Sequence, residues 1–533
     1  MLIGYVFYVD NVHIDNTRSR DSLGASGDTD FASLAVRVGD RSYPVQTAAM
    51  GDLKKGDHNP GLMIGPVPIE DSGIPVVFNY LVVNAGHSDP SQIQQALSDA
   101  ADKLAIDLAE SGSLWGLIGA GAIEGLNKIV VPLLTANCDG WVAGDQISMT
   151  GAQLRVKTEE TAGFQETRSY PGLPSNKGCG DNSQYSVLFS VYRPHWTGWY
   201  EIPKDGFSDA KPATCLFKGE IYLFIKGTDS RVYVNRSKDS VAWVGWTEVP
   251  GGMKTDTGLG VTASDSRLWL VAKGFDHTIN LTQFDDTGWS SWSEVAGGGR
   301  TGAAIAIQYC IGSGFLSDHL YIFCKGVGSD QQIYMNSFKT SAAPHPLPAP
   351  PPSGSHLMHT VPVPPSVVRE FQDFDAHKFG TWQQVPGGGL TDSAPAAYVG
   401  LRSLVLLVKG VGRPSSFWLE GDATTGGWGT GWTEVQFVQP GSEGDGSFVV
   451  GMASPSGATF NGQELVFALA ADSRVYGQQR SGADDAHRFP ISALSTFVDL
   501  MSSPSVLVEG GMLRVFCVGK DQRIYMNSWD GKR

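Results

Sequence analysis

The segment IYLFIKGTDSRVYVN, residues 221–235, joins two apolar runs through a short Gly/Asp turn. Both runs are rich in β-branched and aromatic residues, a pattern that predicts a β-hairpin. The same pattern returns at residues 268–282, 320–336, 404–420, 465–478 and 513–527. The turn glycine recurs at Gly227, Gly274, Gly326, Gly410 and Gly519. The fifth copy has Ala470 in its place. Six copies of one unit indicate a repeat architecture.

A second module, with paired aromatic residues, stands ahead of most of these hairpins. It reads WTGWYEIP (196–203), WVGWTEVPGG (243–252), WSSWSEVAGGG (289–299), FGTWQQVPGGG (379–389) and WGTGWTEV (428–435). Together with a short apolar segment it gives four strands per unit, which predicts a six-bladed β-propeller over residues 194–533. A long array of β-sandwiches is the alternative. The sixth copy has no Trp pair, so its blade is either degenerate or closes the ring.

A proline-dense stretch at about 340–367 separates the third copy from the fourth. Its composition predicts a surface insertion, either extended as polyproline II or disordered. A spacer is the expected role, and a ligand for SH3-type domains is the alternative.

Residues 1–193 lack the repeat and predict a separate β-sandwich. Strand-like segments open it at 4–14, 31–40 and 74–84, and others close it at 153–160 and 185–193. Between them Asp89 can cap a helix, and the insertion 89–135 is interpreted as a helical hairpin. Its apolar second helix is expected to pack on its neighbour and the sheet, because Glu124, Asn127 and Lys128 interrupt it. A membrane-active element is the alternative.

The composition favours a mainly β protein and narrows the class of partner. Glycine supplies 66 of 533 residues, charged residues only 17%, and there are 14 tryptophans, which argues against a disordered chain or a coiled coil. The net charge of −15 offers no general attraction to phosphate backbones or anionic lipid. We therefore expect no nucleic-acid partner and no membrane partner, and leave the oligomeric state open. Because the N-terminus lacks a signal-peptide pattern, a cytoplasmic or non-classically released protein is expected.

The six cysteines do not form a disulfide framework. Cys138 and Cys179 lie in turn-like contexts and can pair. The other four lie in apolar strand patterns and are expected to be buried free thiols: Cys215, Cys310, Cys324 and Cys517. No Cys/His spacing suggests zinc, so we expect no metal and no cofactor.

The W-x-E part of the aromatic module is the first candidate binding site. Strand alternation places Trp246 and Glu248 on one face. The same arrangement is expected at Trp199/Glu201, Trp292/Glu294 and Trp432/Glu434, while the fourth copy has Gln384. An indole beside a carboxylate suits sugar recognition, because the ring stacks on a pyranose and the acid accepts its hydroxyls. The alternative is that the tryptophan packs between blades and the glutamate faces solvent.

Three arginines form the second candidate set. Arg231, Arg474 and Arg523 each stand two residues before a tyrosine in the last strand of a hairpin. A guanidinium can bond paired ring hydroxyls or a carboxylate and stacks on aromatic rings. The alternative is a solvated charge on an edge strand.

The repeat W-x-x-W-x-E-V-P-G-G-G…L-x-L-F-x-K-G-x-D-x-x-I-Y resembles the blade of propeller lectins of the tectonin-like and fucose-binding types. The resemblance covers about residues 195–533. It implies glycan binding in shallow pockets between blades, through Trp, Arg and acidic side chains at the positions named above. Residues 1–193 resemble only uncharacterised microbial β-sandwich proteins, which implies no activity.

An enzyme is the second hypothesis and a membrane-active toxin the third. The sequence contains no G-x-S-x-G, H-E-x-x-H, Walker or Rossmann motif, so no catalytic residue is named and an enzyme is not favoured. A cyclase or hydrolase with its site in the propeller mouth or at the domain junction would escape a motif search. The toxin would dock on sugars and insert the helical hairpin. The expected partner is therefore a glycan or another small-molecule ligand.

Overall fold

The computed structural model describes residues 2–17, 28–85, 89–99, 140–159, 163–170, 172, 183–194, 196–311, 318–340, 368–369, 375–401, 403–413, 415–422, 427–435, 454–480 and 498–531. They are mainly β-strand, as the sequence predicts. Residues up to Trp199 form one compact unit and those from Tyr200 onward form a second. Cys138, Cys179, most of the predicted hairpin 89–135 and residues 341–367 of the proline-dense stretch lie outside the described residues.

The first unit contains two five-stranded antiparallel sheets. One has the order β5-β1-β10-β9, with β6 also pairing with β1; the other has the order β3-β2-β7-β8, with β4 also pairing with β2. The strands are β1 Leu2–Asn16, β2 Asp28–Val38, β3 Arg41–Ser42, β4 Gln46–Leu53, β5 Gly56–His58, β6 Leu62–Glu70, β7 Pro75–Asn84, β8 Gly140–Thr150, β9 Gly163–Tyr170 and β10 Gln184–Tyr192.

The two sheets share one hydrophobic core. Alternate residues of β1, among them Tyr5 and Phe7, meet Phe78 of β7 and Phe189 of β10. Strand β7 is buried on both faces, because a helix described over residues 90–99 covers its other side with Ile93 and Leu97. Burial on both faces explains the continuous apolar run of this strand.

The helix at residues 90–99 begins as predicted. The Asp89 carboxylate accepts the backbone N–H groups of Ser91 and Gln92 at 2.9 and 3.2 Å. These bonds lower the pKa of Asp89, and the hydroxyl of Ser91 contributes most. The prediction that Asp89 caps this helix is confirmed.

The strand predicted at residues 153–160 is wrong. Residues Gly151–Lys157 form a helix, because Thr150 and Gln153 make a capping box. The Gln153 N–H donates to the Thr150 hydroxyl at 3.1 Å, and the Gln153 side chain accepts the Thr150 N–H at 2.8 Å. The L-R-V-K alternation suggested a strand, but the capping box starts a helix there.

The described residues of the second unit form six sheets, named I to VI in chain order, in which the strands pair antiparallel except for one parallel pair in sheet II. Sheet I is β12 Ala213–Phe217, β13 Glu220–Lys226, β14 Val232–Ser237 and β15 Thr247–Glu248; sheet II is β16 Gly260–Ala263, β17 Leu268–Lys273, β18 Ile279–Asp285, β19 Gly288–Ser290, β20 Ser293–Glu294 and the parallel β24 Val368–Arg369; sheet III is β21 Ala306–Cys310, β22 His319–Lys325, β23 Ile333–Lys339 and β25 Gln383–Gln384. Sheet IV is β26 Ala396–Val399, β27 Leu404–Lys409, β28 Ser416–Gly421 and β29 Thr433–Val435; sheet V is β30 Ser456–Phe460, β31 Gln463–Leu469 and β32 Val475–Gln479; sheet VI is β33 Ser505–Glu509, β34 Met512–Val518, β35 Ile524–Trp529 and β11 Tyr200–Glu201.

The hairpins lie where the repeat predicts them, but the repeat frame differs from the predicted one. The modules at 243–252, 289–299, 379–389 and 428–435 supply the outer strand of the hairpin before them, not of the one after them; Glu248 pairs with Tyr233, for example. The four buried thiols of this unit are free, as expected.

Sheet VI takes its outer strand from the other end of the unit. Tyr200 pairs with Met526 and Glu201 with Tyr525, and the N–H of buried Ile202 donates to the carbonyl of Ile524 at 2.8 Å. The first Trp module therefore completes the sixth hairpin, which has none of its own.

The first strands of successive sheets contact one another in sequence. Strand β12 contacts β16, β16 contacts β21, β21 contacts β26, β26 contacts β30, β30 contacts β33, and β33 contacts β12. The series of contacts thus returns to its starting strand.

The repeated turn is built around an aspartate. Asp229 accepts the backbone N–H of Arg231 at 3.1 Å and the hydroxyl of Tyr233 at 2.8 Å. A β-carbon on Gly227 would lie 2.6 Å from the Asp229 carboxylate, so only glycine fits without movement. The positive φ of the turn falls instead on Ser230, at 67°. Although burial raises the pKa of Asp229, these hydrogen bonds lower it overall.

The lysine before the turn glycine pairs with an aspartate in three sheets, and it is buried in two of them and half-buried in the third. Lys226 pairs with Asp209, Lys273 with Asp256 at 2.7 Å, and Lys409 with Asp392 at 2.8 Å. Lys325 of sheet III is equally buried at 9% exposure, but Gly302 stands where the aspartate would be. Among the described residues no carboxylate pairs with Lys325.

Replacing Gly302 with aspartate is expected to stabilise the protein. The new carboxylate would reach Lys325 as Asp256 reaches Lys273, and its β-carbon would lie 3.3 Å from the nearest atom, the carbonyl oxygen of Gly326. We expect a gain of about 1 kcal/mol in the free energy of unfolding, which raises Tm by about 2–4 °C. Thermal unfolding checks this, with Gly302→Asn as the uncharged control. Equal shifts for both variants would contradict an ion pair.

Candidate functional site

An exposed arginine–glutamate pair lies at the outer end of sheet I. Arg231 precedes β14 and Glu248 ends β15, and the register of these two strands brings the side chains together. The Arg231 Nη1 donates to both carboxylate oxygens of Glu248, at 3.0 and 2.8 Å. The bond to Glu248 raises the pKa of Arg231. With 45% and 34% of the two side chains exposed, a ligand can reach both groups.

Sheets VI and II carry the same combination. In sheet VI the Arg523 guanidinium donates to Glu201, which raises the pKa of Arg523, and lies 5.3 Å from the ring centre of the exposed Phe207. In sheet II the glutamate is Glu294, and its partner is Arg300 at 2.7 Å. Arg300 was not among the predicted residues, although it directly follows the Gly-Gly-Gly run of its module.

The remaining predicted residues do not join such a pair among the described residues. Arg474 directly precedes the third strand of sheet V and is exposed, as is Glu434 in sheet IV. Sheet III has the uncharged Gln332 and Gln384 at the two positions. Trp199 is 6% exposed.

In four modules the last tryptophan packs on a glycine next to the outer strand of the preceding sheet. Trp246 of sheet I contacts Gly206, which follows β11 of sheet VI. The indole of Trp292 in sheet II packs on Gly251, where an added β-carbon would lie 2.7 Å from Cδ1 of the ring. The Trp292 Nε1 donates to the Pro250 carbonyl of sheet I at 3.0 Å. Further on, Trp382 contacts Gly299 and Trp432 contacts Gly389. The packing role that the sequence left open is thus present.

These contacts associate a glutamate of one sheet with a tryptophan of the next sheet, and not with the tryptophan two residues before it in the sequence. Glu248 stands two residues before Pro250, on which Trp292 of sheet II packs, and Glu201 stands five residues before Gly206, on which Trp246 packs. We call each combination of an Arg–Glu pair, the glycine turn after it and the next sheet's indole an inter-sheet niche. The niches are Arg523/Glu201/Trp246, Arg231/Glu248/Trp292 and Arg300/Glu294/Trp382. The sequence shows the Arg, Glu and Trp residues of each niche. It does not show that the tryptophan comes from the sheet after the one that supplies the Arg–Glu pair.

The described residues offer no other obvious centre of chemistry. They contain no group of three or more His, Cys, Asp or Glu side chains placed to hold a metal ion. Among the described helices, none has the length and apolar character to cross a membrane.

Comparison with known proteins gives similarities of structure alone. No protein-family model matches the chain, and no curated protein sequence matches it. The chain is similar to a lectin of Aleuria aurantia solved with Fucα1-6GlcNAc, at 12% identity and a TM-score of 0.42, covering 62% of this chain and 95% of that one. It is also similar to AofleA from Arthrobotrys oligospora (10% identity, TM-score 0.39, 62% and 86% covered) and to the BP39L lectin from Burkholderia pseudomallei (14%, 0.39, 61% and 83%).

Proposed function

We propose that the second unit is a six-bladed β-propeller that binds glycans in its inter-sheet niches. The observation that carries the proposal is the recurrence, in three sheets, of a solvent-accessible Arg–Glu pair with a nearby glycine on which the next sheet's indole packs. The closed series of contacts among the six first strands supports the propeller. In this proposal the propeller spans 194–533 with a surface insertion at about 340–367, and residues 1–193 form a β-sandwich with the helical insertion 89–135.

The chemistry of a niche matches that of a sugar ring. Vicinal hydroxyls accept from the guanidinium and donate to the carboxylate, and hydrogen bonds to charged groups are worth about 1.5–3 kcal/mol each. Arg231 uses Nη1 toward Glu248 and its Nε lies 3.8 Å from Asp229 Oδ2, so the N–H groups of Nη2 can donate to a ligand. The exposed part of the indole offers an apolar face to the C–H side of the ring.

Several equivalent niches on one chain favour binding to surfaces that display many copies of a glycan. Binding at a second niche is then intramolecular, so avidity exceeds the affinity of one niche. Weak individual niches are compatible with tight attachment.

Removing the niche arginines is expected to abolish binding on a glycan array. The triple variant Arg231→Met, Arg300→Met, Arg523→Met keeps the side-chain length but removes all three donors. For a single niche, loss of one such bond raises Kd by about 10- to 100-fold. The control is Arg236→Met, which lies on β14 and pairs with Glu220 outside the niches. The proposal fails if the wild type binds no glycan, or if the triple variant binds as well as the wild type.

A further inference from the structure

A cavity of about 150 Å³ lies where the six first strands meet. Every sheet contributes to its wall, through Thr214, Val261, Ile307, Ala397, Gly457 and Val506. Backbone and small side chains make up most of this wall. Lys211 is the one charged residue among the described residues that line it.

Among the described residues, the Lys211 ammonium has one hydroxyl partner and no carboxylate partner. Its Nζ donates to the Ser456 hydroxyl at 2.7 Å, and that hydroxyl donates to the Pro504 carbonyl at 2.6 Å. In the part of the chain that the structure describes, no Asp or Glu forms an ion pair with it. Burial lowers the pKa of Lys211 to about 8, so Lys211 is protonated in most molecules at pH 7.

The other buried lysines show how this fold usually treats such a charge. Lys226, Lys273 and the half-buried Lys409 each pair with an aspartate, whereas the buried Lys325 has no carboxylate partner among the described residues. Lys211 is partly buried, and a cation withdrawn from water without a counter-charge carries a cost that a bound anion reduces. At Lys211 the space for the anion is the cavity itself.

We propose that this cavity binds a small organic carboxylate, whose charge pairs with Lys211. The site is separate from the inter-sheet niches and does not depend on glycan binding. The neighbouring hydroxyls of Thr214 and Ser505 lie 3.0 Å apart, so one of them donates to the other and the remaining hydroxyl hydrogen can donate to the second carboxylate oxygen. Alanine and valine side chains receive the aliphatic part. The volume equals that of about five water molecules, enough for an acid of two to four carbons.

The proposal fixes the direction of the pH dependence. The carboxylate binds the ammonium form, so binding raises the pKa of Lys211 above its ligand-free value of about 8. Affinity is therefore constant below that pKa and falls as the pH rises through it. We expect about a fivefold loss between pH 8 and 9, followed by about tenfold per further unit.

Isothermal titration calorimetry with sodium butyrate tests the site at constant ionic strength. We expect one saturable site per chain in the wild type and none in Lys211→Met. The control Lys218→Met removes an exposed lysine that pairs with Asp286, and it should bind butyrate normally. The triple niche variant should also bind butyrate normally, so loss of glycan binding and loss of carboxylate binding are separate results.

Three outcomes would overturn the proposal. They are no saturable heat in the wild type, equal binding by Lys211→Met, and equal affinity for chloride or phosphate. If Lys211→Met does not fold, the wild-type pH profile decides: affinity that does not change between about pH 7 and 9.5 excludes Lys211 as the partner.

Discussion

Replacing Glu464 with alanine is expected to lower the free energy of unfolding by about 3–5 kcal/mol, the cost of breaking a buried ion pair. Glu464 of β31 is 8% exposed and pairs with Arg480, whose side chain is 11% exposed. It also accepts the backbone N–H of Leu401 at 2.8 Å and the Tyr398 hydroxyl at 3.4 Å. One carboxylate thus joins sheet V to sheet IV.

Loss of this carboxylate would leave a guanidinium poorly compensated. Arg480 would keep the half-exposed Glu420 at 2.7 Å and the face of Trp418 at 4.1 Å. Urea denaturation measures the effect. The control is Glu294→Ala, which removes an exposed glutamate with a single arginine partner and should cost no more than about 1 kcal/mol.

A second variant separates charge from shape. Glu464→Gln retains an acceptor for the Leu401 N–H but loses the charge, so its stability should lie between those of the wild type and the alanine variant. If Glu464→Ala costs no more than Glu294→Ala, the carboxylate does not hold the two sheets together.

Replacing Ile202 with aspartate is expected to destabilise the second unit by about 4 kcal/mol or more, because it places a charge in an apolar site. Ile202 is 2% exposed and directly follows β11, the strand that completes sheet VI. Its N–H bond to Ile524 belongs to the pairing between the two ends of the unit.

Ile311→Asp is the matched control, because the same change falls on a side chain that is 65% exposed. Urea denaturation should show a large loss for Ile202→Asp and a change within about 0.5 kcal/mol for the control. Limited proteolysis should also cut the Ile202→Asp variant faster near residues 524–529. Equal behaviour of the two variants would mean that pairing of the ends adds little stability.

The sequence was sufficient for the local elements of this fold. Alternating apolar residues around a Gly/Asp turn predicted the hairpins, because both determinants lie within about fifteen residues of each other. Residues 153–160 show that apolar alternation alone can predict the wrong element. The alternation of Leu154 and Val156 suggested a strand, while the capping box of Thr150 and Gln153 started a helix.

The site was only partly predictable, because its parts come from different sheets. Glu248 and Trp246 are neighbours in sequence, yet each belongs to a different niche once the sheets are placed side by side. Arg300 and Glu294 lie close together in the sequence, as do the lysine and aspartate of each Lys–Asp pair, so the repeat itself could indicate these pairs. The contacts of Lys211 with Ser456 and of Arg523 with Glu201 span 245 and 322 residues, so no local pattern indicates them.

The pairing of β11 with β35 also constrains how the protein is made. Glu201 leaves the ribosome 322 residues before Arg523, which is roughly 15–65 s at ordinary rates of synthesis. During that time β11 has no partner strand, while the hairpins of sheets I to V can each form from residues already synthesised. A premature stop just before residue 524 would leave all six first strands present and the beginning of the unit unpaired.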